Sequence, residues 1–266
     1  MRVVLCGAAG GIGRRVADRL LDAGHDIVGL DRDPAGIDDL PAAIDGRVVD
    51  LSDERAVERA LADTAADAVV SCVGWYELGA IEDCSPERLR EHLEANLLAV
   101  HTPIRELLPG LREREGRVVV VGSMTGSVPL PYHGAYSTAK AGLAGYLDSL
   151  RREVGPRGVD VTLIEPGPVR TGFNERAATA LDRYDDSAYA EQYRAFENYS
   201  PDAAEPEAVA DRIVTALDAD RPRARYRVSA RARWLPRLDA VLPTRLSDRI
   251  VRAGLPGGLL YRLIDR

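Results

Sequence analysis

Lysine is almost absent from this chain: of its 35 basic residues only Lys140 is a lysine, and the rest are arginine. The lysine ammonium is compact and its pKa shifts readily, whereas a guanidinium stays protonated. Lys140 closes the segment Tyr136-Ser-Thr-Ala-Lys140, and residues four apart share one face of a helix. An ammonium beside a phenol favours the phenolate, so this pair predicts a proton-exchanging tyrosine with a lowered pKa. A surface lysine one turn from a surface tyrosine would give the same pattern.

Cysteine is also scarce, and the three present (Cys6, Cys72 and Cys84) show no C-x-x-C spacing. A disulfide scaffold and a zinc site are therefore not expected, and a reducing compartment fits. No apolar run is long enough to cross a bilayer. Because a strand begins at Val3, we expect no signal peptide. These absences predict a cytoplasmic protein with no resident metal.

Charge is unevenly distributed along the chain. The net charge is −7, but residues 221–266 carry +9 and residues 1–220 carry −16. The acidic body argues against nucleic-acid binding. We interpret residues 1–220 as one domain and 221–266 as a basic C-terminal extension. A solvated arginine-rich face is the favoured reading of the extension, with contact to a neighbouring subunit or to an anionic membrane surface as alternatives.

Predicted strands and helices alternate along the chain. The strands are 3–6, 27–30, 48–49, 68–72, 117–121, 159–164 and 225–228; the helices are 14–23, 54–62, 86–108, 135–154, 208–217 and one near 243–253. Apolar strands separated by helices predict an α/β fold with a parallel sheet covered on both faces. Residues 172–206 interrupt the pattern. They predict a substrate lid, with surface helices packed on the body as the alternative.

A glycine-rich segment, Cys6-Gly7-Ala-Ala-Gly10-Gly11-Ile-Gly13, joins the first strand to the first helix. Glycines let the backbone turn tightly and approach a pyrophosphate, which the N–H groups at the helix start then bind. Asp31, at the end of the second strand, is placed to bind the adenosine ribose and to repel a 2′-phosphate. We therefore predict NAD rather than NADP. Arg32 weighs against this, since arginine receives a 2′-phosphate, and Asp31 is also typical of a turn.

With these motifs the chain resembles the short-chain dehydrogenase/reductase family, in its short single-domain branch. The glycine loop fits T-G-x-x-x-G-x-G with cysteine in place of threonine, and residues 166–171 fit P-G-x-V-x-T. The resemblance implies a doubly wound Rossmann fold. It also implies that the cofactor is bound by Gly7, Gly11, Ile12, Gly13, Asp31, Arg32, Asp50, Leu51, Gly74, Tyr136, Lys140, Pro166, Gly167, Val169 and Thr171.

One motif departs from the family pattern. The family's N-N-A-G after the fourth strand reads Ser71-Cys72-Val73-Gly74 here, which puts the fine geometry of this strand end in doubt. The loop also fits G-x-x-G-x-x-G through Gly7, Gly10 and Gly13, the pattern of the longer epimerase-like branch. The chain length and the spacing of Ser123 and Tyr136 favour the shorter branch.

The resemblance implies hydride transfer by four catalytic residues, Asn96, Ser123, Tyr136 and Lys140. Tyr136 would exchange a proton with the substrate oxygen, and Ser123 would donate a hydrogen bond to that oxygen. Lys140 would hold the nicotinamide ribose and keep the pKa of Tyr136 low. Asn96 would hold a water that links Lys140 to solvent.

The predicted substrate pocket is apolar and aromatic. Its wall residues are Trp75, Tyr76, Met124, Val128, Leu130, Tyr132 and Phe173. Because none of them is an arginine or lysine that could clamp a carboxylate or phosphate, these residues predict a neutral, hydrophobic secondary alcohol or ketone as substrate. His133 either contacts the substrate or is a solvent-facing loop residue.

Two other functions stay open at this point. One is a non-catalytic NAD-binding redox sensor, although such proteins usually lose the tyrosine or the lysine. The other is an epimerase or dehydratase acting on a nucleotide sugar, which would normally need a larger substrate domain. The family's long helices, here 86–108 and 135–154, form subunit interfaces, so the resemblance implies a homodimer or homotetramer.

Overall fold

The computed structural model describes residues 1–196 and 203–256. Within them the strands form one parallel sheet in the order β3-β2-β1-β4-β5-β6-β7. The strands are β1 (Arg2–Cys6), β2 (Asp26–Asp31), β3 (Asp45–Val48), β4 (Ala68–Ser71), β5 (Arg117–Val121), β6 (Asp160–Glu165) and β7 (Arg225–Arg227). The predicted parallel α/β sheet is confirmed. Because β7 pairs with β6, the sheet includes residues beyond 220.

Helices connect the strands and cover both faces of the sheet. They are α1 (Gly11–Asp22), α2 (Pro34–Asp38), α3 (Glu54–Leu61), α4 (Pro86–Leu93), α5 (Ala99–Glu113), α6 (Gly134–Val154), α7 (Phe173–Ala178), α8 (Ala190–Arg194), α9 (Pro206–Asp218), α10 (Ala230–Val241) and α11 (Thr244–Ala253). Helices α2 and α10 were not predicted from the sequence. Residues 172–206 contribute α7 and α8 rather than irregular chain, and Tyr199, one of the aromatic residues of this stretch, lies outside the described part.

Two apolar cores lie on opposite faces of the sheet. Along β1 the side chains of Val4 and Cys6 enter one core, and those of Val3 and Leu5 enter the other. This is the two-residue alternation of a strand, and it explains why the strands are apolar throughout. Helices α3, α5 and α6 cover the first face, and α1 and α9 cover the second.

The predicted helix 86–108 is interrupted at Asn96. Helix α4 ends at Leu93, a π-helical turn spans Glu94–Leu98, and α5 continues to Glu113. The Asn96 side chain donates to the His92 carbonyl at 2.9 Å, so it competes with the backbone for an acceptor four residues earlier. π-turns of this kind frequently lie at functional sites.

The sheet order places a ligand site at the carboxyl end of β1. From β1 the chain passes outward through β2 and β3 and then returns to β4 on the other side of β1. Ligands of doubly wound sheets bind where the strand order reverses in this way. In the part of the chain that the structure describes, no helix has the length and apolar character to cross a membrane. The same residues hold no cluster of three or more His, Cys, Asp or Glu side chains suited to a metal ion.

Candidate active site

The glycine loop forms a tight turn at the carboxyl end of β1. Gly7 has φ of +77°, a left-handed conformation that favours glycine, and its N–H donates to the Leu30 carbonyl at 2.8 Å. Gly13 in the first turn of α1 lies against this turn. A Cβ at Gly13 would stand 1.9 Å from the Gly7 carbonyl oxygen. The start of α1 therefore approaches the loop as closely as a glycine allows.

Alanine at Gly13 is expected to disrupt this cradle. The added Cβ overlaps a backbone atom, so the loop or α1 must move, at a cost of about 1–3 kcal/mol. We expect a lower melting temperature and at least about tenfold weaker dinucleotide binding, measured by calorimetry. Gly110→Ala is the matched control: it lies within α5 with no atom within 4 Å of its Cβ position, and it should raise stability by about 0.5–1 kcal/mol. Unchanged binding in Gly13→Ala would contradict the role of the close contact.

A cleft of about 550 Å³ extends from the glycine loop past the ends of β2 and β3. It is lined by predicted adenosine-binding residues, among them Asp31, Arg32, Asp50 and Leu51. Asp31 accepts from Ala9 N–H at 3.0 Å and from Asp33 N–H at 3.2 Å, so its carboxylate braces both the loop and the following turn. Hydrogen bonds from Ser52 lower the pKa of Asp50. The cleft presents carboxylates to a ribose and carries Arg32 at its rim.

A second cavity, of about 200 Å³, continues from the first and is lined by three of the four predicted catalytic residues, Ser123, Tyr136 and Lys140, but not by Asn96. Both are lined by Gly10 and Gly74. The P-G-x-V-x-T segment closes one side. A Cβ added to Gly11 would stand 2.7 Å from the Thr171 side chain, so Thr171 packs directly on the glycine loop. A dinucleotide thus has a continuous path from Asp31 to the second cavity. Of the predicted cofactor residues, Ile12, Gly74, Pro166, Gly167 and Val169 also line this second cavity.

Ser123 and Tyr136 meet in the second cavity. Ser123 caps the turn after β5, and its Oγ accepts from the Thr125 N–H at 3.2 Å and the Thr125 hydroxyl at 2.9 Å. With these acceptor positions filled, the Ser123 hydroxyl donates elsewhere, to the Tyr136 hydroxyl in the protein alone or to a substrate oxygen when one is bound. Tyr136, in the first turn of α6, packs its ring 4.6 Å from the Tyr76 ring and 6.3 Å from the Phe173 ring. Its ring is therefore fixed by packing.

Lys140 is buried one turn after Tyr136, as the spacing predicts. Its Nζ lies 3.4 Å from the Val73 and Val121 carbonyl oxygens and 5.8 Å from the centre of the Tyr136 ring. Burial lowers the pKa of Lys140 to about 8. Burial also raises the pKa of Tyr136 to about 12, although a hydrogen bond with Ser123 acts in the opposite direction. The prediction of a lowered tyrosine pKa is therefore wrong for the protein alone, because desolvation of the phenol outweighs its neighbours.

Asn96 fixes the backbone after β4. Its Nδ2 donates to the Trp75 carbonyl at 2.6 Å, and its Oδ1 accepts from the Trp75 N–H at 3.2 Å. His92 adds a third restraint, since its Nε2 accepts from the Glu77 N–H at 3.1 Å. Gly74 lies between Asn96 and Lys140, and a Cβ there would contact both side chains at 3.5 Å. In the segment 71–74, which differs from the family pattern, the buried Ser71 hydroxyl has no hydrogen-bond partner among the described residues.

The pocket wall differs in part from the prediction. Tyr76, Met124, Leu130 and Phe173 line the second cavity, whereas Trp75, Val128 and Tyr132 do not. Trp75 instead lines the adenosine cleft and packs on His92 at 4.7 Å. This follows from the restraints on Trp75, which turn it away from the substrate side.

Three cavity residues correct the sequence analysis. His133 lines the cavity, stacked on Tyr76 at 5.8 Å, and is not a solvent-facing loop residue. Arg176 and Arg231 line it as well, so the expectation that the pocket wall holds no arginine is wrong. No sequence pattern points to Arg231, because this residue reaches the site only through the placement of α10 in the fold.

Residues 184–196 are anchored to the loop after β4. Tyr193, which is buried, donates to the Asp83 carboxylate and accepts from the Ala80 N–H at 2.8 Å. Ser187 donates to Asp83 at 2.6 Å, and Tyr189 donates to Glu82 at 3.2 Å. These contacts hold an aromatic cluster over one side of the cavity. Residues 184–196 therefore cover one side of the cavity and are held there by hydrogen bonds to Ala80, Glu82 and Asp83.

Comparisons with known proteins agree with this geometry. The family model described as short chain dehydrogenase matches residues 1–182. An uncharacterized oxidoreductase of Escherichia coli K12, YbbO, is 28% identical over 260 residues, which cover 94% of this chain and 93% of that protein. An NADPH-dependent 3-dehydrocapnine reductase of Ornithobacterium rhinotracheale is 28% identical over 267 residues, with 93% and 94% covered. A crystal structure of a short-chain dehydrogenase from Streptomyces avermitilis, 28% identical, matches with a TM-score of 0.76 over 90% of this chain and 93% of its own.

Proposed function

Because this chain belongs to the short-chain dehydrogenase/reductase family, we propose that it transfers hydride between NAD(H) and the carbinol or carbonyl carbon of a largely hydrophobic secondary alcohol or ketone. One observation carries the proposal. The hydroxyl groups of Ser123 and Tyr136 and the ammonium of Lys140 converge in a cavity that continues into a cleft suited to a dinucleotide. The nicotinamide ring, when bound, supplies or accepts the hydride.

The side chains then divide the remaining work. In reduction, Tyr136 gives its phenolic proton to the carbonyl oxygen as that oxygen gains charge, and Ser123 donates a hydrogen bond to the same oxygen. Lys140 supplies positive charge close to the phenolate that results. In oxidation, the phenolate takes the proton from the alcohol. Asn96 contributes by fixing the backbone beside Lys140.

The choice of NAD rests on Asp31. A 2′-phosphate near its carboxylate would place like charges together, which costs several kcal/mol at short range. Arg32 at the rim offers a phosphate an opposing attraction. NADP is therefore the second choice, and the 3-dehydrocapnine reductase that resembles this chain is NADPH-dependent.

Asp31→Ser is expected to move the cofactor preference toward NADP. Removing the carboxylate removes the repulsion and leaves Arg32 in place, so the ratio of kcat/KM for NAD to that for NADP should fall by about tenfold to a hundredfold. Asp38→Ser is the control, because Asp38 is an exposed carboxylate outside the cleft. An unchanged ratio in Asp31→Ser, or an equal change in Asp38→Ser, would sink the assignment.

Assembly, location and domain boundaries follow as further proposals. Leu98, on the helix pair expected to form a subunit interface, is 49% exposed. We expect a homodimer or homotetramer, which light scattering measures. We also expect a cytoplasmic protein with residues 172–206 as the lid, a catalytic body of residues 1–220 to which β7 adds the last strand, and a basic extension in the remainder of 221–266. Hydrophobic Trp234, Leu238 and Val241 on α10 are exposed, but a free arginine-rich surface is the simpler reading of that helix.

A steady-state assay tests the proposed function. Absorbance of the reduced nicotinamide is followed with NAD and NADP against a panel of hydrophobic secondary alcohols and, in reverse, ketones. We expect turnover with at least one member of the panel and a preference for NAD. Tight binding of NAD without turnover of any alcohol or ketone would favour the sensor function instead.

A further inference from the structure

Arg231 places a positive charge on the substrate side of the cavity. It lies in the first turn of α10, whose start is capped by Ser229, which accepts from the Ala232 N–H at 3.0 Å. One guanidinium nitrogen is 4.0 Å from the position of a Cβ at Gly254. The next residue, Leu255, is buried in the aromatic cluster beside the cavity. The guanidinium thus lies where the start of α10 and the residues that follow α11 reach the cavity.

No carboxylate in the described ranges pairs with Arg231. The two nearby arginines of β7 are both paired, since Arg225 and Arg227 bind Glu165 at 3.2 and 3.1 Å and Arg225 also binds Asp148 at 2.7 Å. The one acidic residue of α10, Asp239, accepts from Ser247. Arg231 therefore lines the cavity with its charge available to a ligand, while its exposed part keeps contact with water.

A wall of rings leads from the reacting hydroxyl toward Arg231. Tyr136 contacts Tyr76, and Tyr76 stacks on His133. The His133 Nδ1 donates to the Pro131 carbonyl at 2.9 Å, which leaves Nε2 as an acceptor. Burial, assisted by the charge of Arg231, lowers the pKa of His133, so this imidazole is neutral at pH 7. Arg231 is then the charged group at this end of the wall.

Arg176 is the second arginine that lines the cavity. Its Nη1 donates to the Thr171 carbonyl at 3.4 Å, and the Thr171 side chain lies on Gly11 of the glycine loop. Arg176 is therefore held by a backbone carbonyl, whereas no hydrogen bond or ion pair holds the Arg231 guanidinium within the described residues.

We propose that Arg231 binds a carboxylate at the far end of the substrate, so that the substrate is an apolar keto acid or hydroxy acid. A guanidinium fork matches a carboxylate with two parallel hydrogen bonds, and the rings between Tyr136 and Arg231 match an apolar body. This assignment rests on the proposed function, since it names the substrate class of the same site. Arg231 is a specificity-determining residue in this account.

The test measures kcat/KM for straight-chain keto acids and for their methyl esters. The acids form a series in which the distance between the carbonyl and the carboxylate increases. At the best spacing, the wild type should prefer the acid by about tenfold or more in kcat/KM. Arg231→Gln should remove most of that preference, and Arg231→Lys, which keeps the charge, should retain part of it. Arg233→Gln is the matched control, because Arg233 is exposed on the same helix and does not line the cavity. Equal use of acid and ester by the wild type, or an undiminished preference in Arg231→Gln, overturns the proposal.

A binding measurement separates this proposal from the proposed function. Calorimetry of decanoate and of methyl decanoate against wild type and Arg231→Gln needs no turnover. Arg231-dependent binding of decanoate, with no ketone reduced, would support the carboxylate site and refute the dehydrogenase function. Reduction of esters and acids at equal rates, with no Arg231-dependent binding of decanoate, would leave the dehydrogenase function standing and overturn the carboxylate site.

Discussion

Replacing Tyr136 by phenylalanine is expected to lower kcat by about 10²–10⁴-fold, the usual contribution of a positioned general acid or base. The substitution removes only the hydroxyl. The ring keeps its contacts with Tyr76 and Phe173, and Ser123 keeps its hydrogen bonds to Thr125. We therefore expect nearly unchanged cofactor affinity and melting temperature. Steady-state kinetics and calorimetry on the same preparation measure the three quantities.

Tyr146→Phe is the matched control for this substitution. Tyr146 lies on the same helix, and burial likewise raises its pKa to about 12, but its hydroxyl pairs with His101 outside the cavity. Its loss should leave kcat near the wild-type value. If Tyr136→Phe retains more than about a tenth of the activity, Tyr136 is not the proton donor.

Replacing Lys140 by methionine should abolish activity and yet stabilise the protein. Burial lowers the pKa of Lys140 from its ordinary 10.5 to about 8, a difference worth about 3 kcal/mol. Below pH 8 the lysine is protonated in both folded and unfolded states, so the full cost of burying the charge is present. Methionine fills a similar volume without that charge. We expect a higher melting temperature at pH 7 and a loss of at least about a hundredfold in kcat.

The stabilisation by Lys140→Met should fade as the pH rises. Between pH 8 and 10.5 the folded wild type releases this proton while the unfolded chain still holds it, so wild-type stability increases with pH. Above 10.5 the cost has gone. Because Lys140 is the only lysine, the difference between the two proteins over this range reports a single side chain. Urea unfolding at pH 7 and pH 10 measures it. A less stable variant at pH 7, or a stability difference independent of pH, would show that the ammonium is not buried at a cost.

The sequence predicted the frame of the site well, because that frame depends on local patterns. Strand β5 was predicted as 117–121 and found there, since its valines are buried on both faces. The glycine loop, Ser123, Tyr136 and Lys140 follow from fixed spacings along strand ends and one helix face, and the fold brings them together. Ser123, Tyr136 and Lys140 line the second cavity, and the glycine loop lines both this cavity and the adjoining cleft.

The parts that the sequence missed depend on contacts between distant segments. The π-turn at Asn96 forms because one amide reaches Trp75 and His92 together, which apolar periodicity does not record. Helix α10 carries Pro236 in its interior and a mixed surface, so its pattern did not indicate a helix. Arg231 could therefore not be placed in the cavity. The raised pKa of Tyr136 likewise depends on burial, which spacing alone does not give.

Transfer of a single isotope tests the central claim most directly. The reduced nicotinamide cofactor carries deuterium at the carbon from which hydride is transferred. It is mixed with a hydrophobic ketone and an excess of enzyme, and the alcohol product is analysed by mass spectrometry. We predict deuterium on the carbinol carbon within one turnover for the wild type and for Tyr146→Phe, and almost none for Tyr136→Phe. Bound cofactor that keeps its deuterium with every ketone, or equal transfer by Tyr136→Phe, would contradict the account.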